Sequence, residues 1–227
     1  RDIRPTPTFK FLASACSASA SIRLLLPSPG ASDLVIPRWN GKEFLLPNGE
    51  RPTIRTFTPI RMPDVTSELA LDIVVHGPGA ASDWATAATA GAPAAISGPG
   101  RGYAADRDAS SFLLVGDESA VPAITQLLES LPVDRPVSAG IEVTSPEAIR
   151  EPPELPLGRV DWRVLSEDAP PGTAQLDYVR NATLEPGVRI WAAGEAAAMQ
   201  RIRRHLFDDR GVERSQTMIR GYWKRTT

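Results

Sequence analysis

The string Arg55-Thr56-Phe57-Thr58-Pro59-Ile60-Arg61 brings three kinds of chemistry into seven residues. A guanidinium offers a planar forked cation to phosphate, a ring offers a stacking surface, and a hydroxyl can meet a heteroatom. Alternate residues of a strand share a face, so the arginine, the aromatic and the hydroxyl are expected side by side if the string is extended. An ordinary exposed strand face would show the same pattern. A second string, His76-Gly77-Pro78-Gly79-Ala80-Ala81-Ser82-Asp83-Trp84-Ala85, runs from a glycine-rich turn into a helix start. Such a junction presents free backbone amides to an anion, and Ser82 adds a hydroxyl there. His76 reads as a ligand-positioning residue rather than a proton-transfer group.

Further along, Gly116-Asp117-Glu118-Ser119-Ala120-Val121-Pro122-Ala123 and Trp191-Ala192-Ala193-Gly194-Glu195-Ala196 both put carboxylates where an apolar strand gives way to a helix. Open α/β sheets bind nucleotides at such strand ends. Glu118 and Glu195 would also stabilise helix N-termini through the dipole, whatever else they do. Neither string is the G-x-G-x-x-G dinucleotide fingerprint. The chain closes on Gly221-Tyr222-Trp223-Lys224, in which the two aromatics can pack in a last strand.

The elements that must position these residues change character near the middle of the chain. Before residue 100, short apolar runs are broken by Pro, Gly, Asn and Asp, the pattern of an all-β unit. Strands are expected at Ile22–Leu26, Glu43–Leu46, Thr53–Thr58, Leu69–Val75 and Ala94–Ser97, with an Asn48-Gly49 hairpin turn between the second and third and a helix over Ala80–Ala90. Only Phe9–Ala13 carries a weak strand pattern ahead of these. After Gly98-Pro99-Gly100-Arg101-Gly102, Phe112–Val115 reads as a strand buried on both faces, followed by an amphipathic helix through Ile124, Leu127, Leu128 and Leu131. Strands at Val137–Val143, Val160–Leu165 and Val188–Ala192 and a helix at Glu195–Asp209 complete an α/β alternation, which implies a parallel sheet. Pro146–Gly158, with four prolines, reads as an exposed loop.

Composition removes several function classes. Two histidines, His76 and His205, and one cysteine, Cys16, cannot supply a usual zinc site, and no G-x-S-x-G elbow accompanies either histidine. A pI near 5.8 without a basic cluster interleaved with aromatics argues against nucleic acid. A single cysteine excludes an internal disulfide and suits a reducing cytoplasm; no apolar run reaches the ~20 residues of a membrane helix, and no signal-peptide layout is present. The sequence starts at Arg1, which leaves room for a preceding segment. The net charge of −2 hides a polarity: residues 1–61 carry +5, residues 62–200 carry −12 and residues 201–227 carry +5. The two basic ends could together attract an anion, while Arg201, Arg203 and Arg204 read as the solvated face of a helix. No heptad or long apolar stripe calls for an oligomer, so a monomer is expected.

Taken together the strings resemble the siderophore-interacting protein family, flavin-dependent ferric-siderophore reductases of the ferredoxin-reductase-like group, over about Ile22 to Lys224. Arg55, Phe57 and Thr58 align with that family's R-x-Y-T-x-R flavin signature; Phe57 replaces the tyrosine, and Ile60 stands at the second arginine with Arg61 one place later. The His76 string is similar to H-G-x-G-P-A-S-x-W-A, the Gly116 string to G-D-E-T-A-x-P-A, the Trp191 string to W-x-A-G-E and the C-terminal string to G-Y-W-[RK]. The resemblance implies an N-terminal antiparallel β-barrel over residues 1–105 that binds FAD. It implies a nicotinamide-binding α/β parallel-sheet domain over residues 106–227, whose tail closes on the flavin.

By the same resemblance, Arg55, Phe57, Thr58, Arg61, His76, Gly79, Ala81, Ser82 and Trp84 would hold FAD, and Gly116, Asp117, Glu118, Ser119, Gly194 and Glu195 would lie at the NAD(P)H and flavin edge. Lys224 and Arg220 would face an anionic ferric siderophore, with NADH or NADPH as electron donor and no protein metal site. Reduction would release the iron, because ferrous ion binds hard oxygen donors far less tightly than ferric. Two other readings share the pattern: a flavin reductase with another acceptor, such as a quinone, free flavin or redox protein, and a non-catalytic siderophore carrier that has lost FAD.

Overall fold

Ile22, Leu24 and Leu26 alternate with more exposed neighbours along one strand, and burying their shared face organises the first half of the chain. The computed structural model describes residues 3–5, 9–10, 19–60, 68–75, 77–100 and 102–225, which fall into two units, Arg1–Tyr103 and Ala104–Thr227. The first contains β1 (Ile3–Pro5), β2 (Phe9–Lys10), β3 (Ile22–Leu26), β4 (Arg38–Trp39), β5 (Phe44–Leu45), β6 (Thr53–Phe57), β7 (Pro59–Ile60), β8 (Glu68–Val74), helix α1 (Ala80–Ala87) and β9 (Ala95–Ser97). All its pairings are antiparallel: β1, β2 and β7 pair with β8, β6 and β9 flank β3, and β4 pairs with β5. The β3 residues meet Leu71 and Ile73 of β8 in a core that Phe57, Ala81, Trp84 and Ala85 cover.

Two local expectations change. The Asn48-Gly49 turn forms, with Gly49 at φ +84° and the Leu46 amide donating to the Glu50 carbonyl at 2.8 Å. Yet it does not join a hairpin, because β5 pairs back with β4 and β6 pairs with β3. Helix α1 stops at Ala87 rather than Ala90, where Ala88 turns extended and Gly91 takes a φ of +91°. Of the weak Phe9–Ala13 pattern, Phe9 and Lys10 form β2 and the rest lies outside the described residues.

The second unit contains β10 (Phe112–Asp117), α2 (Val121–Ser130), β11 (Val137–Val143), β12 (Gly158–Val164), α3 (Thr173–Asn181), β13 (Arg189–Glu195), α4 (Ala196–Arg204) and β14 (Thr217–Trp223). Its five strands are all parallel, in the order β12-β11-β10-β13-β14. Every residue of β10 is buried, as a continuous apolar run requires at the centre of a sheet covered on both faces. Leu113 and Val115 face a cluster with Val179, Met199 and Ile202 of α3 and α4. A Cβ on Gly116 would stand 2.7 Å from Ile124 Cδ1 of α2, on the opposite face. The expected Glu195–Asp209 helix is α4 continued by one π turn, His205–Asp209, with Glu195 as its N-cap.

Helix α3 was not foreseen from the sequence. The proline-rich stretch from Pro146 begins with a short 3-10 turn and carries the chain from β11 to β12 without a helix, leaving Ile149 and Leu157 exposed. Arg201 and Arg203 are more than a solvated face: Arg201 Nη2 donates to the Pro171 carbonyl at 2.6 Å, and Arg203 donates to the Ile219 carbonyl. Gly140 of β11 lies flat under Tyr178, where a Cβ would stand 2.3 Å from the ring. Gly140→Ala is therefore expected to cost about 3 kcal/mol through overpacking, read as a lowered urea midpoint at unchanged m-value.

Candidate functional site

The strand order reverses between β10 and β13, and a parallel sheet opens a crevice at the carboxyl ends of the strands flanking such a reversal. Asp117 ends β10 at this point. Its Oδ1 accepts from the Ser119 amide at 3.0 Å and the Ser119 hydroxyl at 2.5 Å. Its Oδ2 accepts from the Glu195 amide at 3.1 Å and the Trp223 indole at 2.8 Å. One carboxylate thus ties the ends of β10, β13 and β14 together. Gly194, beside it, has no room for a side chain, since a Cβ would stand 2.6 Å from Asp117 Oδ2 and 3.0 Å from Gln175 Nε2.

Burial pushes the Asp117 carboxyl up to about 6, against the hydrogen bonds from Ser119 and Trp223 that favour its charge; the nearby Glu142 adds to the rise. An acid with a raised folded value contributes stability that is complete below its unfolded value, ~3.9, and is lost as the pH rises through about 6. The loss of stability on Asp117→Ala is accordingly expected to be larger at pH 5 than at pH 7.5, by about 1 kcal/mol, in paired urea titrations.

The other acidic residues expected at the edge are also engaged. Glu118 Oε1 accepts from the Thr144 amide at 2.5 Å and its hydroxyl at 2.6 Å, joining the turn after β10 to the end of β11. Glu195 Oε2 caps α4 at the Ala198 amide at 2.8 Å, and Oε1 accepts from the Arg225 amide at 3.4 Å. Ser119 is half-buried, and Gly116 is a packing glycine under α2. The structure therefore brings Asp117, Ser119, Gly194 and Glu195 together at the crevice, with Glu118 turned toward β11. Arg220 and Lys224 are exposed and make no ion pair among the described residues.

Two residues at this edge went unnoticed in the sequence. Glu142, at 4 % exposure near the end of β11, accepts from the amides of Gly172 at 2.7 Å, Ala174 at 2.8 Å and Gln175 at 3.3 Å, which are the orphan donors at the start of α3. Burial raises its carboxyl above the usual range, and those amides oppose the rise. Gln175, also buried, has no partner for either side-chain polar atom among the described residues. Pro170-Pro171-Gly172-Thr173 was the available signal, a stop-and-restart that places Gly172 at φ +82° as the N-cap of α3.

In the first unit, β6 holds Arg55 and Phe57 on one face, opposite Leu24 and Ile22 of β3. Thr58 does not join them: as the neighbour of Phe57 it falls on the other side of the alternation, just past the end of β6, and is buried at 6 % exposure. Arg55 is exposed, donates one bond to the Ile54 carbonyl at 2.9 Å and pairs with no carboxylate among the described residues. Phe57 is half-buried on the core, and Ile60 is half-buried in β7 opposite Ala70. Gly79 is the N-cap of α1 and makes no side-chain cap hydrogen bond, while Asp83 reaches back to the Gly79 amide at 3.3 Å. Ser82 is buried, while Ala81 and Trp84 pack on the core. Arg61 and His76 lie outside the described residues.

An N-terminal unit of antiparallel sheets followed by a five-stranded parallel sheet with helices is the ferredoxin-reductase-like architecture, a class of flavin-binding oxidoreductase folds. Residues 6–103 match the siderophore-interacting FAD-binding domain and residues 109–226 the siderophore-interacting protein domain. The chain belongs to the siderophore-interacting protein family. It is 39% identical over 194 residues to an uncharacterised protein of Mycobacterium tuberculosis, covering 79% of this chain and 68% of that one. It is 28% identical over 205 residues to the NADPH-dependent ferric-chelate reductase of Escherichia coli, covering 88% and 78%. The structure of the siderophore-interacting protein SipS from Aeromonas hydrophila superposes with a TM-score of 0.73 at 30% identity, covering 92% and 86%. No described helix is long and apolar enough to cross a membrane.

Proposed function

We propose that the chain is an NAD(P)H-dependent, FAD-containing reductase of ferric siderophores. The observation that carries the reading is Arg55: an exposed guanidinium with unspent donors, on the strand that bears the flavin-signature string. The first-turn amides of α1, which lack a side-chain cap, suit the other end of a diphosphate. These groups fit FAD, with Arg55 and the α1 amides on phosphate and Phe57 beside the ring system. When bound, the flavin accepts a hydride from the nicotinamide and returns electrons one at a time to ferric iron.

The chain's own contribution is positional. At the crevice of the parallel sheet, Asp117 holds β10, β13 and β14 in register, and Gly194 keeps the approach free of a side chain. Gly116, Glu118, Ser119 and Glu195 shape the nicotinamide edge by fixing the strand-to-helix turns. Arg220 and Lys224 supply exposed positive charge for an anionic chelate. Reduced nicotinamide nucleotides are held in the cytoplasm, where we place the protein. A relative named as an NADPH-dependent ferric-chelate reductase supports the acceptor class.

The experiment is steady-state turnover of the FAD-loaded protein with NADH or NADPH and a ferric chelate, with ferrous iron trapped by a colorimetric chelator. Nicotinamide oxidation that requires the ferric chelate and yields trapped ferrous iron is expected. Faster oxidation with a quinone, and no trapped iron, would replace this reading by a flavin reductase with another acceptor.

A further inference from the structure

Strand β12 is an edge of the five-stranded sheet, with β11 on one side and no strand on the other among the described residues. Two bonds at the ends of the ladder set its phase. The Val137 amide donates to the Leu157 carbonyl at 3.1 Å, and the Leu165 amide donates to the Val143 carbonyl at 2.8 Å. In a parallel ladder of that phase Arg159, Asp161 and Arg163 bond to β11 through both backbone groups. Val160, Trp162 and Val164 turn their amides and carbonyls outward, and no other described backbone segment meets them. Edges are ordinarily blunted by shortness, a proline, a bulge or charge. β12 runs seven residues without a proline and in unbroken register with β11, so charge is the remaining guard.

The charges alternate in sign. Asp161 stands beside Gly140, the residue under Tyr178, so Arg159, Asp161 and Arg163 share the α3 face of the edge and Val160, Trp162 and Val164 the opposite one. Arg159 and Asp161 approach each other at 3.2 Å with side chains 70 % and 40 % exposed, a surface pair that costs little to rearrange. Arg163 is exposed and pairs with no carboxylate among the described residues. Val164, at the end of the strand, is an exposed apolar residue.

An antiparallel neighbour must meet Val160, Trp162 and Val164 with residues whose own backbone groups face outward. A second copy of β12 does this about a two-fold axis, and the charges choose the register. An axis at Asp161 sets that carboxylate against itself and Arg159 against the partner's Arg163, like against like. An axis at Val160 carries the pairing into the turn that the Gly158 amide closes on the Leu155 carbonyl at 3.2 Å. An axis at Trp162 keeps the pairing within extended chain. It sets Asp161 opposite the partner's Arg163, and Val160 opposite the partner's Val164, on both sides of the axis.

We propose that the chain forms a two-fold dimer by antiparallel pairing of β12 with β12 of a second copy, with Trp162 on the axis, so that the two sheets become one. In this register the Asp161–Arg163 pairs fall at non-hydrogen-bonded positions, where facing side chains come closest. The absence of heptads, from which a monomer was expected, bears on helix pairing and not on a strand edge. Pairing requires neither FAD nor a ferric chelate.

The test is sedimentation equilibrium of the whole chain between ~1 and ~100 μM. The wild type is expected to move from 24.4 kDa toward twice that mass as concentration rises. Asp161→Arg and Arg163→Asp, each of which sets like charges opposite one another, are each expected to weaken dimerisation about tenfold. Mixed in equal amounts, the two variants set arginine against aspartate on both sides of the axis, so a heterodimer of wild-type affinity is expected. That recovery also shows that each variant is folded. A wild type that stays monomeric over the whole range overturns the proposal. So does a dimer that both single variants retain, or a mixture that fails to recover it.

Discussion

Glu142→Ala is expected to lower the free energy of unfolding by about 3 kcal/mol, because it strands three backbone amides at the buried start of α3. The damage should be local first. Amide hydrogen exchange in residues 172–176 is expected to speed up well before β10 or β13 responds, because those strands keep both helical layers on either side. Glu142→Gln, which retains an accepting oxygen and the shape, is expected to cost about 1 kcal/mol. Removing the charge should also lower the Asp117 carboxyl from its value of about 6, since Glu142 helps to raise it. A loss below 1 kcal/mol for the alanine variant would mean that solvent reaches the start of α3.

Arg55→Ala is expected to raise the dissociation constant for FAD by about 30-fold, the loss of a charge-assisted contact worth about 2 kcal/mol. The substitution should leave the fold intact, because the guanidinium is exposed and its one bond within the chain goes to the neighbouring Ile54 carbonyl. Arg55→Lys keeps the charge but not the planar fork, so an intermediate weakening of several-fold is expected. Flavin fluorescence during titration of each apoprotein reads both values. Unchanged affinity in the alanine variant would take Arg55 off the diphosphate and leave the α1 amides as the main phosphate partner.

The fold was legible wherever one physical cause dominates. Phe112–Val115 announces a central strand because four consecutive apolar residues can be buried only when both faces of a sheet are covered. Ile22–Leu26 shows its face by alternation, and α4 shows its own by the apolar positions Met199 and Ile202 among arginines. What escaped was determined by long-range partners. Helix α3 has a weak apolar pattern, and its first turn is stabilised by a carboxylate 30 residues earlier, at Glu142. The turn at Asn48-Gly49 was read correctly as a turn, but which strands pair on either side of it depends on β3 and β4, which local sequence does not report.

The candidate site divides the same way. Recognisable strings located Asp117, Gly194 and Glu195, and the structure joins them at one strand end. Glu195 caps the start of α4, as dipole reasoning alone allows, whereas Glu118 bonds across to Thr144 at the end of β11. Thr58 is off the face of Arg55 and Phe57 because it stands one residue after Phe57, where strand alternation turns a side chain to the other side.

In the proposed function, electrons pass from a reduced nicotinamide through bound flavin to chelated ferric iron. The most direct measurement is an anaerobic absorbance series on the FAD-loaded protein, adding NADH, then NADPH in a parallel sample, then a ferric chelate with a ferrous-specific dye. The oxidised flavin bands are expected to bleach with a nicotinamide and to return when the ferric chelate is added, in step with the colour of trapped ferrous iron. Protein that retains no FAD, or bleached flavin that the ferric chelate leaves reduced, would contradict the proposed function.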